Sequence, residues 1–133
     1  MPVDYSSEKD KSMTQFDQDD YGWDTGSSAV AIVDLVLQYL KPTSVIDVGC
    51  GTGVFLEEFE KRGVDIILGV DGPATRAVFV PDESNFVATD LTQPVELNQN
   101  FDLALCLEVA EHLPAGSADL LVETLTDLAP VVL

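Results

Sequence analysis

Positive charge is scarce in this chain. Of 133 residues only six are Lys or Arg, against 24 Asp and Glu, which leaves a formal net charge of −18 at pH 7. The six bases, Lys9, Lys11, Lys41, Lys61, Arg62 and Arg76, are spread along the chain. Binding to nucleic acid needs a clustered basic surface that displaces counterions from phosphate, so no nucleic-acid partner is expected. An acidic excess of this size suits a protein kept soluble in concentrated salt, where short-range screening removes the self-repulsion.

Cysteine is almost as rare. Cys50 and Cys106 are the only two, both within apolar, strand-like surroundings, which reads as a cytoplasmic protein with reduced thiols. No charged segment followed by an apolar run precedes residue 30, so no targeting leader of that type is expected. The longest apolar-rich stretch, Ala29 to Leu40, is interrupted by Asp34 and Gln38 and is too short to span a bilayer, so no membrane partner is expected either.

What is present is enough apolar content, 46%, to build a core, and enough length for one domain. A disordered acidic polymer would lack the aliphatic runs that offset ordering entropy. Residues 1 to 24 form a polar acidic leader with seven Asp or Glu. Tyr21 and Trp23 near its end serve either as a flap over a ligand or as a hydrophobic staple onto the following helix. The folded domain is expected over 25–133.

Ser27 and Ser28 are expected to cap a helix that runs to about Leu40, with Ile32, Val33, Val36, Leu37 and Leu40 on one stripe and Pro42 ending it. A strand at Ser44 to Val48 leads into a glycine turn, Gly49 to Gly53, and a helix from Val54 to Lys61 that stops near Gly63. Further strands are expected at 65–70, at 85–88 and at 101–107, then a helix at about 116–128 and a fifth strand at 131–133. Alternating strands and helices predict an α/β fold: a three-layer, Rossmann-like parallel sheet with helices on both faces. With about five strands, and an apolar run as the last residues, the sheet reads as incomplete and the chain as a fragment. The last strand would then offer an edge to a second copy, a possible homodimer contact.

The segment VIDVGCGTG, Val45 to Gly53, carries the most chemical information. A strand ending in Gly49-x-Gly51-x-Gly53 brings backbone amides and a helix N-terminus to the carboxyl edge of the sheet, where a nucleotide-type ligand approaches without meeting Cβ atoms. The dinucleotide fingerprint would place glycine where Val54 stands, which disfavours NAD. Asp71 ends the next strand, 20 residues after Gly51, where an acid sits beside the glycine turn and accepts hydrogen bonds from both hydroxyls of a ribose. Asp90 follows the third strand at the same edge, placed to accept from the exocyclic amine of adenine.

These segments, with GVDG at Gly69 to Gly72, ATDL at Ala88 to Leu91 and FDLALCLEVAEHLP at Phe101 to Pro114, resemble the class I S-adenosylmethionine-dependent methyltransferases over about residues 28–133. The resemblance implies that Asp47, Gly49, Cys50, Gly51 and Gly53 lie along the methionine part of the cofactor. It implies that Asp71 and Gly72 hold the ribose, that Asp90 and Leu91 flank the adenine, and that Glu108 lies beside the cofactor. S-adenosylmethionine carries a sulfonium and an ammonium against one carboxylate, so an acidic pocket suits it better than a pyrophosphate.

Glu108, Glu111 and His112 would share one face if Glu108 began a helix, and two carboxylates with an imidazole could then hold a divalent cation. The ExxEH pattern resembles the metal motif of the O-methyltransferases of quinone biosynthesis and of the RNA 3′-terminal 2′-O-methyltransferases. The plainer alternative has Glu108 ending a strand beside the cofactor, Glu111 favouring a helix N-terminus by its charge and His112 packing; His112, with Glu111, could also act as a general base. Leu107-Glu108-Val109-Ala110 stands where amide and amine N-methyltransferases carry Asn-Pro-Pro-Tyr or Asp-Pro-Pro-Tyr, so a hydroxyl on a small-molecule acceptor is expected. Cys106 lacks a neighbouring base and reads as core. A non-catalytic nucleoside-binding or partner module, and an NAD-dependent oxidoreductase, are the alternatives.

Overall fold

A computed structural model of the chain describes residues 25–133, so the leader with Tyr21 and Trp23 lies outside the described residues. Along the chain run α1 (Thr25–Tyr39), β1 (Ser44–Val48), α2 (Val54–Lys61), β2 (Ile66–Asp71), β3 (Phe86–Ala88), β4 (Leu103–Leu105), α3 (Ala118–Leu128) and β5 (Val131–Val132). All four strand pairings are parallel, in the order β3-β2-β1-β4-β5. The chain builds outward from β1 in one direction, then returns to build outward in the other. β1 and β4 therefore flank the switch point, outside whose carboxyl ends ligands enter open α/β sheets.

Strand alternation sorts the core into two clusters. Val45, Ile67, Leu103 and Leu105 pack with Val33 of α1 and with Leu56 and Phe59 of α2; Ile46, Val48, Val70 and Ala104 pack with Leu121, Leu125 and Leu128 of α3. Helices thus cover both faces, as expected of a three-layer fold. Each fully buried Leu, Val or Phe adds about 1.5–3 kcal/mol by leaving water. By the same alternation Asp47, Gly69 and Asp71 fall on the α1 and α2 face, at its carboxyl end.

Local chemistry sets the ends of α2. Its N-cap, Gly53, has φ 77°, a left-handed conformation that a residue with a Cβ resists. At the other end the N–H of Gly63 donates to Glu60 O at 3.0 Å and that of Val64 to Phe59 O at 3.1 Å, a Schellman closure with Gly63 at φ 90°. Arg62 then ties α2 to α1, donating to Asp34 Oδ1 at 2.6 Å and pairing with Glu58.

Several boundaries differ from expectation. α1 begins at Thr25, so Ser27 and Ser28 lie in its first turn rather than capping it. β2 is displaced by one residue and β4 is shorter than expected, 103–105. Phe101 still sits in the α3-side core and Cys106 packs against it, neither joining the strand. The segment around Glu111 is not the start of a helix. It is a 3-10 turn, Ala110–His112, and a second one at Ala115–Ser117 precedes α3. Pro114 supplies the reason: it bars the α conformation at Leu113, which is extended with ψ 152°.

Candidate cofactor site

The loops after β1, β2, β3 and β4 meet at one rim of the sheet, and hydrogen bonds lock the first two together. The N–H groups of Gly49 and Cys50 both donate to Val70 O, at 2.7 and 3.2 Å, and that of Gly53 donates to Cys50 O at 2.9 Å. The Gly51 N–H donates to Asp71 Oδ2 at 2.8 Å, and the Gly72 N–H to Asp71 Oδ1 at 2.7 Å. Four amides of the glycine turn are therefore satisfied within the protein. That is not the open array of donors that cradles a pyrophosphate. Beside the turn the rim holds two carboxylates, Asp47 and Asp71, both buried.

Asp71 is buried, and burial pushes its carboxyl above the usual range although the Gly51 and Gly72 amides and the Thr75 hydroxyl pull it back. Asp47 is 3% exposed, and burial together with the Asp71 charge pushes its carboxyl up to about 7. Each oxygen of a carboxylate has two lone pairs, so Asp71 keeps acceptor capacity for a ligand beyond its two amides.

Two apolar side chains that sequence reasoning missed shape this rim. A Cβ on Gly49 would stand 2.4 Å from Val109 Cγ2. A Cβ on Gly53 or on Gly69 would stand 2.5 or 2.7 Å from Phe79 Cε2. Phe79 arrives there because the 3-10 turn Pro73–Val78 doubles the chain back after β2, and Val80 N–H donates to Thr52 O at 2.8 Å. These glycines make room for the protein's own side chains as much as for a ligand. The motif's glycine spacing was the available signal, but nothing in it named Phe79 or Val109 as the occupants.

The remaining expected residues divide. Cys50 is buried, its Sγ would stand 2.8 Å from a Cβ on Gly69, and burial with the Asp47 and Asp71 charges raises its thiol far above the ordinary value. Its side chain braces the turn from below, so any contact of Cys50 with a ligand would run through its backbone. Asp90 is exposed and forms an Asx turn, accepting from the N–H and hydroxyl of Thr92 at 2.9 and 2.6 Å, which holds its carboxyl below the usual range. Leu91 packs partly into the α3-side core. Cys106 is half-buried against the α3-side core rather than within it, its thiol pushed up to about 12 by burial and by the Asp47 and Glu111 charges.

Glu108 adopts φ 57°, the only positive value at a non-glycine among the described residues. This left-handed residue turns the chain so that Val109 packs onto Gly49. Glu111 is held below the usual carboxylate range by its own backbone N–H, with a hydrogen bond to Glu108 and the charge of His112 adding to the effect. His112 Nε2 stands 3.7 Å from Glu111 Oε1. The contacts run in file rather than converging: among the described residues no group of three His, Cys, Asp or Glu side chains is placed to hold a metal ion. The expected divalent-cation site is not assembled, because the 3-10 turn replaces the helix that would have put Glu108, Glu111 and His112 on one face. A separate groove of about 410 Å³ lies between the 94–100 loop and α3, and none of the rim residues line it.

A parallel sheet with this switch point, a glycine turn whose amides are spent internally, and an acid tying the turn to β2 is a combination that a family can be tested against. The family model described as the methyltransferase domain matches residues 26–130. The chain belongs to this family. Among curated relatives of this methyltransferase-domain chain, a ubiquinone biosynthesis O-methyltransferase of Rhodopseudomonas palustris is 30% identical over 83 residues, covering 58% of this chain and 32% of its own. One of Acinetobacter baumannii is 39% identical over 79 residues, covering 53% and 33%. The chain thus spans about a third of the length of the curated relatives it matches. Among solved structures, an amino pentose methyltransferase of Micromonospora echinaspora with S-adenosylmethionine bound superposes with TM-score 0.67 at 24% identity, over 81% of this chain and 48% of that one. A magnesium protoporphyrin IX methyltransferase of Synechocystis, also with S-adenosylmethionine bound, gives 0.59 at 27%, over 79% and 53%.

Proposed function

We propose that the chain binds S-adenosylmethionine at this rim and passes its methyl group to a hydroxyl of a small molecule. The observation that carries the reading is the Asp71–Gly51 junction: an acid at the end of β2 held against a glycine turn whose amides no longer solicit an anion. This favours a cationic nucleoside over a pyrophosphate, and S-adenosylmethionine is a net cation. Asp71 and Gly72 would hold the ribose, Asp90 and Leu91 the adenine side, and Asp47 with Gly49, Gly51 and Gly53 the methionine side. The O-methyltransferase relatives support oxygen as the acceptor atom.

The bound cofactor supplies a methyl group on an activated sulfonium, so covalent catalysis is unnecessary and the protein's work is to align the acceptor oxygen with that carbon and exclude water. Held by Asp47, Asp71 and the glycine turn, the cofactor would supply its methyl carbon to the acceptor oxygen, with the C–S pair leaving on sulfur. The acceptor's proton goes to His112, and Glu111, whose Oε1 stands 3.7 Å from His112 Nε2, stabilises the charge the imidazole gains.

The acceptor is read as a small molecule because three of the four described bases are already engaged: Lys61 pairs with Glu57 and Glu58, Arg62 with Asp34 and Glu58, and Arg76 lies over the Phe86 ring, which leaves Lys41 alone. Free thiols at both cysteines fit the cytoplasm. No helix among the described residues is long and apolar enough to cross a membrane. The outer edge of β5, with Val131, Val132 and Leu133 38, 41 and 45% exposed, is where a second copy would pair.

Calorimetric titration against S-adenosylmethionine and against NAD tests the reading. Binding of the former alone supports it, and binding of the dinucleotide alone overturns it in favour of an oxidoreductase. Transfer of labelled methyl into a pool of hydroxylated metabolites then separates an enzyme from a non-catalytic nucleoside-binding module.

A further inference from the structure

Thr75 is the one buried residue of the 3-10 turn that follows β2. Its neighbours Pro73, Ala74, Arg76 and Ala77 are exposed, whereas Thr75 is 1% exposed. Three residues per turn place Thr75 directly above Gly72, and the Thr75 N–H closes the turn by donating to Gly72 O at 3.1 Å. Gly72 is the residue whose own N–H grips Asp71 Oδ1. The turn thus carries the Thr75 hydroxyl to the same carboxylate, which accepts a hydrogen bond from it. A hydroxyl at this depth has lost its water and needs a partner in exchange. Valine has the same shape without that need, so packing alone gives no reason for threonine here.

Asp71 therefore receives donors from three places: Gly51 in the turn after β1, Gly72 at the end of its own strand, and Thr75 in the 3-10 turn beyond. Two of these are backbone amides, which any residue but proline supplies. The hydroxyl alone comes from a side chain, so sequence chose it and substitution can remove it. A carboxylate gripped from several sides keeps one plane and one rotamer, and its remaining acceptor directions are set before a ligand arrives. We infer that Thr75 is a positioning residue for ligand binding: its hydroxyl holds the Asp71 carboxylate in the orientation that receives the sugar hydroxyls of an adenosyl ligand. The inference rests on the cofactor reading above and adds to it a residue that acts through Asp71 rather than by touching the ligand.

The test is calorimetric titration of wild type, Thr75→Val and Thr75→Ser with S-adenosylmethionine and with its 2′,3′-dideoxy analogue, which offers Asp71 no sugar hydroxyl. Thr75→Val should bind S-adenosylmethionine about tenfold more weakly, the worth of one hydrogen bond to a charged group, while Thr75→Ser stays within about twofold of wild type. The dideoxy analogue should bind wild type and Thr75→Val alike. Equal binding of S-adenosylmethionine by wild type and Thr75→Val overturns the inference and leaves the cofactor reading intact. An equal loss for both ligands overturns it too, because the change then disturbs the fold rather than the grip on the sugar. So does a Thr75→Ser as weak as Thr75→Val, which shows that the hydroxyl is not the agent. No binding by wild type overturns the cofactor reading, and the inference falls with it. Should Thr75→Val fail to fold, a crystal of the wild type with S-adenosylmethionine decides: Thr75 Oγ1 within hydrogen-bond reach of the Asp71 carboxylate supports the inference, and a hydroxyl turned away from it overturns it.

Discussion

The Gly51 N–H and the Asp71 Oδ2 meet at 2.8 Å across twenty residues of sequence. That single bond joins the turn leaving β1 to the end of β2, and the Gly72 N–H completes a two-amide grip on the same carboxylate. Replacing Asp71 with Ala leaves two amides unsatisfied, at about 1–3 kcal/mol each where water cannot reach them. Cofactor affinity should fall at least tenfold in Asp71→Ala, and the thermal midpoint should drop. Calorimetry and a melting curve read the two effects, and unchanged affinity would remove Asp71 from the site.

The Phe79 ring explains why Gly69 is glycine. A Cβ there would lie 2.7 Å from Phe79 Cε2 and 2.8 Å from Cys50 Sγ. Gly69→Ala should cost about 1–3 kcal/mol through overpacking. In a Phe79→Ala background the same change should cost much less, which urea denaturation of the four-member cycle measures. Equal costs in both backgrounds would show that the ring is not the obstacle.

Stability should depend on pH through Asp47. Its carboxyl is pushed up from 3.8 to about 7 in the folded chain, so between those values the folded state holds a proton that the unfolded state has released. Its contribution is therefore favourable in acid and is lost as pH rises toward 7, after which it is flat. Relative to wild type, Asp47→Asn should gain on the order of 3 kcal/mol between pH 4 and pH 8 in the absence of ligand. Melting curves at several pH values report this, and a pH-independent difference would contradict it.

Glu108, Glu111 and His112 do not converge into a metal site. Chelation should accordingly leave S-adenosylmethionine affinity unchanged, while His112→Ala should lower methyl transfer by about 10²–10⁴-fold with little effect on cofactor affinity, as removal of a general base does. Lost affinity on chelation would restore the metal.

The sheet was legible because the patterns that define it are local: aliphatic strands, a glycine turn after the first, a helix stopped at Gly63. The acid-to-turn contact was legible too, since strand and turn lengths bring Asp71 back to Gly51. What the sequence concealed depends on contacts between distant segments. Val109 needs Gly49, and that need, with Pro114, converts an expected helix start into a left-handed residue and a 3-10 turn. Phe79 reaches Gly53 only through a turn that no periodicity announces. Cys50, set within the most informative motif, turned its side chain inward, since spacing alone does not say which face of a turn a residue presents.

The central claim is that this rim receives an adenosyl cation with Asp71 on its sugar. A crystal structure of the chain with S-adenosylmethionine measures it most directly. The account predicts ribose hydroxyls donating to Asp71 while the Gly51 bond persists, and it is contradicted if those hydroxyls face solvent or the ligand lies in the groove along α3.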